Sequence, residues 1–148
     1  MARVAVINGV NLDRLGHRDP TLYGHGSLPD LERDCIGWGL ELGLQVEPFQ
    51  TNHEGGFVEH VHSLSGAVSG AVVNPGAWTH YSYAIADALA DLGAPVVEVH
   101  LSDIDNREPF RRVSVLEGVR AHRVVGRGVE GYRLALEWLA SRLAPASS

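Results

Sequence analysis

Val4-Ala5-Val6-Ile7-Asn8-Gly9-Val10-Asn11, continued by Leu12-Asp13-Arg14-Leu15-Gly16-His17-Arg18-Asp19-Pro20-Thr21-Leu22-Tyr23-Gly24, is the stretch from which the fold is read. Arg3 to Ile7 is predicted as a strand, because four consecutive apolar residues rich in Val and Ile suit a strand buried on both faces. Asn8 and Asn11 then fall at its carboxyl end, followed by a long loop rich in Gly, Pro and Asp. In an open parallel sheet, ligands bind outside the carboxyl ends of the strands. Loops of this length are commonly binding segments or lids. This one carries Arg18 and Tyr23, five positions apart. A tyrosine beside an arginine is a candidate phenolate base, since a nearby cation favours the charged form of a phenol.

Outward from that stretch, strand and helix patterns alternate. Ser27 caps a helix to about Leu42, with Asp30 three residues on forming an imperfect capping box. Gln45–Gln50 is a strand, Glu54 to about Ser65 a helix, and Gly70–Asn74 a short apolar strand. Thr79 to about Leu92 is expected as one helix with apolar positions Ala84, Ala88 and Leu89. Pro95–His100 is a strand, Ser102–Ser114 a polar loop with a short helical turn, Ala121–Val125 a last strand, and Gly131–Leu143 a terminal helix. The Ala/Ser-rich residues 144–148 are expected to be a disordered tail. Five strands alternating with helices imply an α/β fold with a parallel sheet covered on both faces; the flavodoxin-like order 2-1-3-4-5 is the natural expectation.

The chain has 148 residues, 45% of them hydrophobic, enough for one domain with a substantial core. Net charge is -6 with no basic cluster, which argues against nucleic acid as a partner. No apolar run approaches a membrane span, and because the first strand begins at once no signal peptide is expected. The single cysteine, Cys35, has no internal disulfide partner, is expected in the core, and fits a cytoplasmic protein. All twelve basic residues are arginine. Without a lysine there is no Schiff base, no anchor for pyridoxal phosphate and no Walker loop.

Asn8 and Asn11, Asn74 and His100 follow three strands on one edge of such a sheet. Glu98 and His100 alternate onto the same face of their strand, where a carboxylate can fix an imidazole's tautomer and make it a competent general acid. No metal is expected. His60 and His62 are two apart on a helix and diverge, and although His53, His80 and His100 come from separate loops that can meet, no zinc-type spacing is present. His17, His25, His60, His62 and His122 are assigned to packing or solvent.

The opening segment resembles the N-terminal pattern of type II 3-dehydroquinate dehydratases, an Asn-Gly-Pro-Asn-Leu start followed by Leu-Gly, Arg-Glu-Pro and Tyr-Gly. Val10 stands where that family usually has proline and Asp19 where it usually has glutamate. Gln50-Thr51-Asn52-His53-Glu54-Gly55, Asn74-Pro75-Gly76-Ala77-Trp78-Thr79-His80-Tyr81-Ser82, Pro95-Val96-Val97-Glu98-Val99-His100-Leu101-Ser102, Arg107-Glu108-Pro109-Phe110-Arg111, Gly126-x-Gly128 and Gly131-Tyr132 extend the likeness over nearly the whole chain. Residues 113–127 are the weak stretch, with Glu117-Gly118 replacing a common Ser-Pro pair and Arg127 between the glycines; altered surface or oligomer contacts are expected there.

The resemblance implies dehydration of 3-dehydroquinate to 3-dehydroshikimate through an enolate, with neither metal, imine nor other cofactor. It implies Tyr23 as base with Arg18 as its activator, Asn11 holding a water at the enolate oxygen, and His100 protonating the leaving hydroxyl while Glu98 orients it. Asn74, Leu101 and Ser102 would hold the substrate carboxylate, and His80 and Arg111 the ring hydroxyls. Asp87 would arrive from a neighbouring subunit of a homo-oligomer, a dodecamer of four trimers. The step serves aromatic biosynthesis by the shikimate pathway or quinate breakdown. A flavin- or phosphate-binding module without catalysis is the alternative the fold permits, yet the first loop lacks a phosphate cradle. A non-catalytic oligomeric scaffold is opposed by retention of every acid, base and anchor.

Overall fold

The computed structural model describes residues 1–143, so the expected tail at 144–148 lies outside the described residues. Five parallel strands form one sheet: β1 (Ala2–Asn8), β2 (Leu44–Gln50), β3 (Gly70–Asn74), β4 (Val96–His100) and β5 (His122–Val125), in the order β2-β1-β3-β4-β5. The helices are α1 (Pro20–Tyr23), α2 (Leu28–Glu41), α3 (Glu54–Leu64), α4 (Tyr83–Ala90) and α5 (Glu130–Leu143).

Alternation along the strands divides the core into two layers. Val4, Val6, Val72, Val97 and Val99 pack with Leu31 and Cys35 of α2 and Tyr132, Leu136 and Leu139 of α5. Ala5, Ile7, Ala71, Val73 and Val96 face the other way, onto Phe57 and Val61 of α3 and Ile85 and Leu89 of α4. Parallel strands covered on both sides have no polar face to spare, which is why β1, β3 and β4 are apolar along most of their length.

The Ser27 capping box is complete. The Ser27 hydroxyl accepts from Asp30 N–H at 3.3 Å and the Asp30 carboxylate accepts from Ser27 N–H at 3.1 Å, so the shorter aspartate serves as well as glutamate. The single helix expected from Thr79 to Leu92 divides. A 3-10 segment spans Gly76–His80, and α4 starts afresh at Tyr83 under a Ser82 cap whose hydroxyl accepts from Ile85 N–H. Its buried face is Ile85, Ala86, Ala88 and Leu89; Ala84, expected inward, is exposed. The loop after β4 contains two 3-10 turns, Ile104–Asn106 and Pro109–Arg112.

Asn8 lies level with Gln50 of β2 and Asn74 of β3. Val73 pairs with Glu98, so β4 carries His100 just past that level. The loops above are closely apposed: a Cβ on Gly9 would collide with the Pro75 backbone, so glycine there lets the ends of β1 and β3 meet.

Candidate active site

A cavity of about 130 Å³ opens at this edge of the sheet, room for one small ring-shaped molecule. Asn11, Arg18 and Tyr23 line it from the first loop, Asn74 and His80 from the segment after β3, and His100, Leu101, Ser102 and Arg111 from β4 and beyond. Nine of the expected site residues thus meet in one place. Glu98 sits behind His100, and Asp87 is exposed on α4 and does not line the cavity of its own chain.

The first loop is fastened by the segment after β2. Gln50 Nε2 donates to the Gly9 carbonyl at 3.2 Å, the Asn52 side-chain oxygen accepts from Asn11 N–H at 2.8 Å, and Asn52 Nδ2 donates to Asp13 at 3.1 Å. These bonds hold Asn11 in the left-handed region, φ 70°, which asparagine tolerates better than most residues. Asp19 caps α1, its carboxylate accepting from Thr21 N–H at 3.0 Å and the Thr21 hydroxyl at 2.7 Å. Those bonds hold the Asp19 carboxyl below its ordinary value. A short side chain that reaches its own turn is what this cap requires.

Tyr23 is half-buried between two guanidiniums. Arg18 Cζ lies 3.7 Å from the ring centroid, a stacking contact on the ring face. The hydrogen bond to the phenol oxygen comes instead from Arg107, whose Nη1 donates at 3.0 Å and also reaches Ser102 Oγ at 3.1 Å. Arg107 was not among the residues singled out from sequence; its place beside Arg111 in the Arg-Glu-Pro-Phe-Arg motif was the available signal.

Glu98 and His100 share a face, as expected, with His100 Nε2 2.7 Å from Glu98 Oε2. Glu98 has no exposed surface and lies on the apolar α3/α4 side of the sheet. Burial alone would push its carboxyl up, but His100, Arg120 and Ser114 together hold it down at about 2. Arg120 Nη1 donates to Glu98 Oε1 at 2.8 Å and Ser114 Oγ to the same oxygen at 2.9 Å. An ionised carboxylate only accepts, so His100 Nε2 carries the hydrogen and Nδ1 is the nitrogen left to exchange a proton. Ser114 and Arg120 belong to the divergent stretch 113–127. Part of that stretch therefore turns inward to the site rather than only altering the surface.

His80 Nδ1 donates to the Val113 carbonyl at 2.7 Å, which leaves Nε2 an acceptor in the neutral ring. Burial pushes the His80 imidazole below its ordinary value, aided by the neighbouring His100 and Arg111 and opposed by the Val113 carbonyl. Beneath the cavity, Tyr132 OH donates to Asn8 Oδ1 at 2.5 Å and accepts from Asn74 Nδ2 at 2.9 Å, while Gly76 N–H donates to Asn74 Oδ1 at 3.1 Å. The Asn74 amide is thereby oriented with one N–H still free to bind. Of the other histidines, His60 stacks on Phe49 and His122 on Trp138, His53 is exposed, and the His80 and His100 rings are 6.5 Å apart. Among the described residues no group of three or more His, Cys, Asp or Glu side chains is arranged to hold a metal ion. No described helix is long and apolar enough to cross a membrane.

Residues 2–140 match the family model described as dehydroquinase class II. The chain belongs to that family. The 3-dehydroquinate dehydratase of Pelobacter propionicus is 50% identical over 137 residues, 92% of each chain, and that of Bacillus cytotoxicus 47% identical over 146 residues, 99% of this chain and 100% of the relative. The crystal structure of type II dehydroquinase from Propionibacterium acnes superposes with a TM-score of 0.92 at 45% identity, covering 95% of this chain and 97% of that one. A 3-dehydroquinate dehydratase-like protein from Bifidobacterium longum is more distant, with a TM-score of 0.74 at 35% identity over 97% and 99% of the two chains. The class II dehydroquinase family thus accounts for the sheet order and for the long motifs at its carboxyl edge.

Proposed function

We propose that the protein is a 3-dehydroquinate dehydratase, a hydro-lyase that converts 3-dehydroquinate to 3-dehydroshikimate and water by way of an enolate. The observation that supports it most is the small ring-sized cavity lined by Tyr23, the Arg18 and Arg107 guanidiniums and His100, with Glu98 hydrogen-bonded behind the imidazole.

The Tyr23 phenolate removes a proton from C2, next to the C3 ketone. Arg107 and Arg18 are placed to hold negative charge on that side chain, Arg107 by a hydrogen bond and Arg18 across the ring face. An imine sink is impossible in a chain without lysine, so the carbanion charge passes to the ketone oxygen. Asn11 holds a water against that oxygen. The C1–O bond then breaks as His100 delivers its proton to the leaving hydroxyl, giving water and the conjugated enone. Tyr23 has gained a proton and His100 has lost one, and exchange with solvent resets both. Asn74, Leu101 and Ser102 bind the carboxylate, and His80 and Arg111 the ring hydroxyls. The Arg18–Tyr23 segment closes over the substrate and excludes water. No cofactor takes part.

Asp87 is assigned to the cavity of a neighbouring subunit in a dodecamer of four trimers. Its exposure on α4, beside exposed Tyr81 and Tyr83, supports a subunit contact there. Tyr23→Phe and Asp87→Ala chains refolded together are expected to recover part of the activity each lacks alone, and a monomer by light scattering would remove the shared site. The single buried cysteine supports a cytoplasmic location. We assign the step to the shikimate pathway. The primary test adds purified protein to 3-dehydroquinate and follows the enone's ultraviolet absorbance. A steady rise is expected; its absence in folded, fully assembled protein would refute the assignment.

A further inference from the structure

We propose that Arg120 is a positioning residue of this site: its guanidinium holds the Glu98 carboxylate as a permanent acceptor, so that His100 keeps one tautomer and offers Nδ1 to the cavity. The inference rests on the reading of His100 as the acid.

Glu98 is wholly buried on an apolar face of the sheet and meets four hydrogen-bond contacts from three side chains. Oε2 takes His100 at 2.7 Å and Ser114 at 3.1 Å; Oε1 takes Arg120 at 2.8 Å and Ser114 at 2.9 Å. A buried carboxylate with only an imidazole for company has two economical states, an ion pair or a neutral pair sharing one proton. Arg120 removes the second. Protonating Glu98 would leave a guanidinium charge unmatched, with only 17% of its side chain exposed. The imidazole must therefore keep hydrogen on Nε2 and exchange through Nδ1.

Arg120 does not line the cavity, so it acts through Glu98 rather than on substrate. The other charged or titratable groups near the His100–Glu98 pair are His80 after β3, Arg107 and Arg111 after β4, and Arg18 and Tyr23 in the first loop, all lining the cavity, and Arg123 of β5, which lies level with Glu98 in the sheet and donates to Asp105. Among the described arginines, Arg120 is the one that hydrogen-bonds the carboxylate. With Arg120 present, His100 can lose its proton and leave a balanced Glu98–Arg120 pair. Without it, the same loss strands a buried anion, so His100 should hold its proton to higher pH.

The test is nitrogen-15 NMR of the His100 ring across pH, with the pH profile of kcat, in the parent, Arg120→Gln and Arg120→Lys. The parent is expected to show the Nε2–H tautomer wherever the ring is neutral. In Arg120→Gln the midpoint of His100 titration should rise by about one pH unit, the alkaline limb of kcat should move the same way, and KM should stay within about twofold. Arg120→Lys, which keeps a cation, should restore most of the parent midpoint. An unchanged midpoint and tautomer in Arg120→Gln, even with lowered thermal stability, would reduce Arg120 to a structural anchor and overturn the proposal. Should the Gln variant not fold, a neutral Nδ1–H tautomer in the parent would overturn it equally. If the His100 midpoint moves and the kcat limb does not, Arg120 holds the pair as stated and it is the acid role of His100 that fails.

Discussion

The two halves of the site are built on opposite principles. His100 and Glu98 stand at the end of a central strand, almost fully buried, with every oxygen of the carboxylate matched by a donor. Tyr23 ends a four-residue helix on an outer loop, half-exposed, and its phenol oxygen is held by Arg107 alone among the described residues. The proposed acid is positioned by the core and the proposed base by a surface segment. A site that must admit a polar ring and then exclude water needs one wall that moves and one that does not. Substitutions in the two halves should therefore fail differently: loop variants in chemistry with the fold intact, strand variants in chemistry and stability together.

Tyr23→Phe is the sharpest cut on the loop side. It should lower kcat by more than about a hundredfold, with unchanged unfolding and nearly unchanged substrate binding. A variant keeping a tenth of the parent rate, a barrier change of only about 1.4 kcal/mol, would move the base elsewhere.

On the strand side, Glu98→Ala should cost about 3–5 kcal/mol of stability, because it strands the Arg120 charge. Urea unfolding with Tyr23→Phe as the control measures the contrast directly. The same carboxylate gives the fold a pH dependence. Its folded value, about 2, lies below the ordinary 4.5. Its stabilisation is therefore complete above about pH 4.5 and lost as pH falls toward 2. Unfolding free energies across that window should fall more steeply for the parent than for Glu98→Gln; equal slopes would contradict the pairing.

A smaller effect separates holding from chemistry within the cavity. Arg111→Ala should raise KM by about tenfold with less change in kcat, and His100→Ala should do the reverse. Steady-state kinetics on both variants checks this, and exchanged patterns would exchange their roles.

The strand half was legible in the sequence and the loop half only in outline. Apolar runs ending in Asn8, Asn74 and His100 fix which residues reach the sheet's edge, since strand geometry alone places them there. The Glu98–His100 pairing followed from alternation in the same way. Arg107 was legible only as a neighbour of Arg111 in the Arg-Glu-Pro-Phe-Arg motif, and Arg120 was not legible. Each meets its partner across an irregular connection, 84 and 22 positions apart respectively, and no periodicity encodes the path of such a loop. The expected helix from Thr79 failed for a related reason: apolar spacing runs through the 3-10 segment, while the true start is set by the Ser82 hydroxyl. A Ser just before the apolar Ile85–Leu89 stretch was the signal that favoured the shorter helix.

Exchange of deuterium from C2-labelled 3-dehydroquinate into water, compared between His100→Ala and Tyr23→Phe, tests the division of labour most directly. With the base intact and the acid gone, the enolate should form and reverse, so His100→Ala should release deuterium faster than it forms enone. Tyr23→Phe should do neither. Deuterium release by Tyr23→Phe at a rate near that of His100→Ala would contradict the account, because the proton would then be leaving by a group other than the tyrosine of the outer loop.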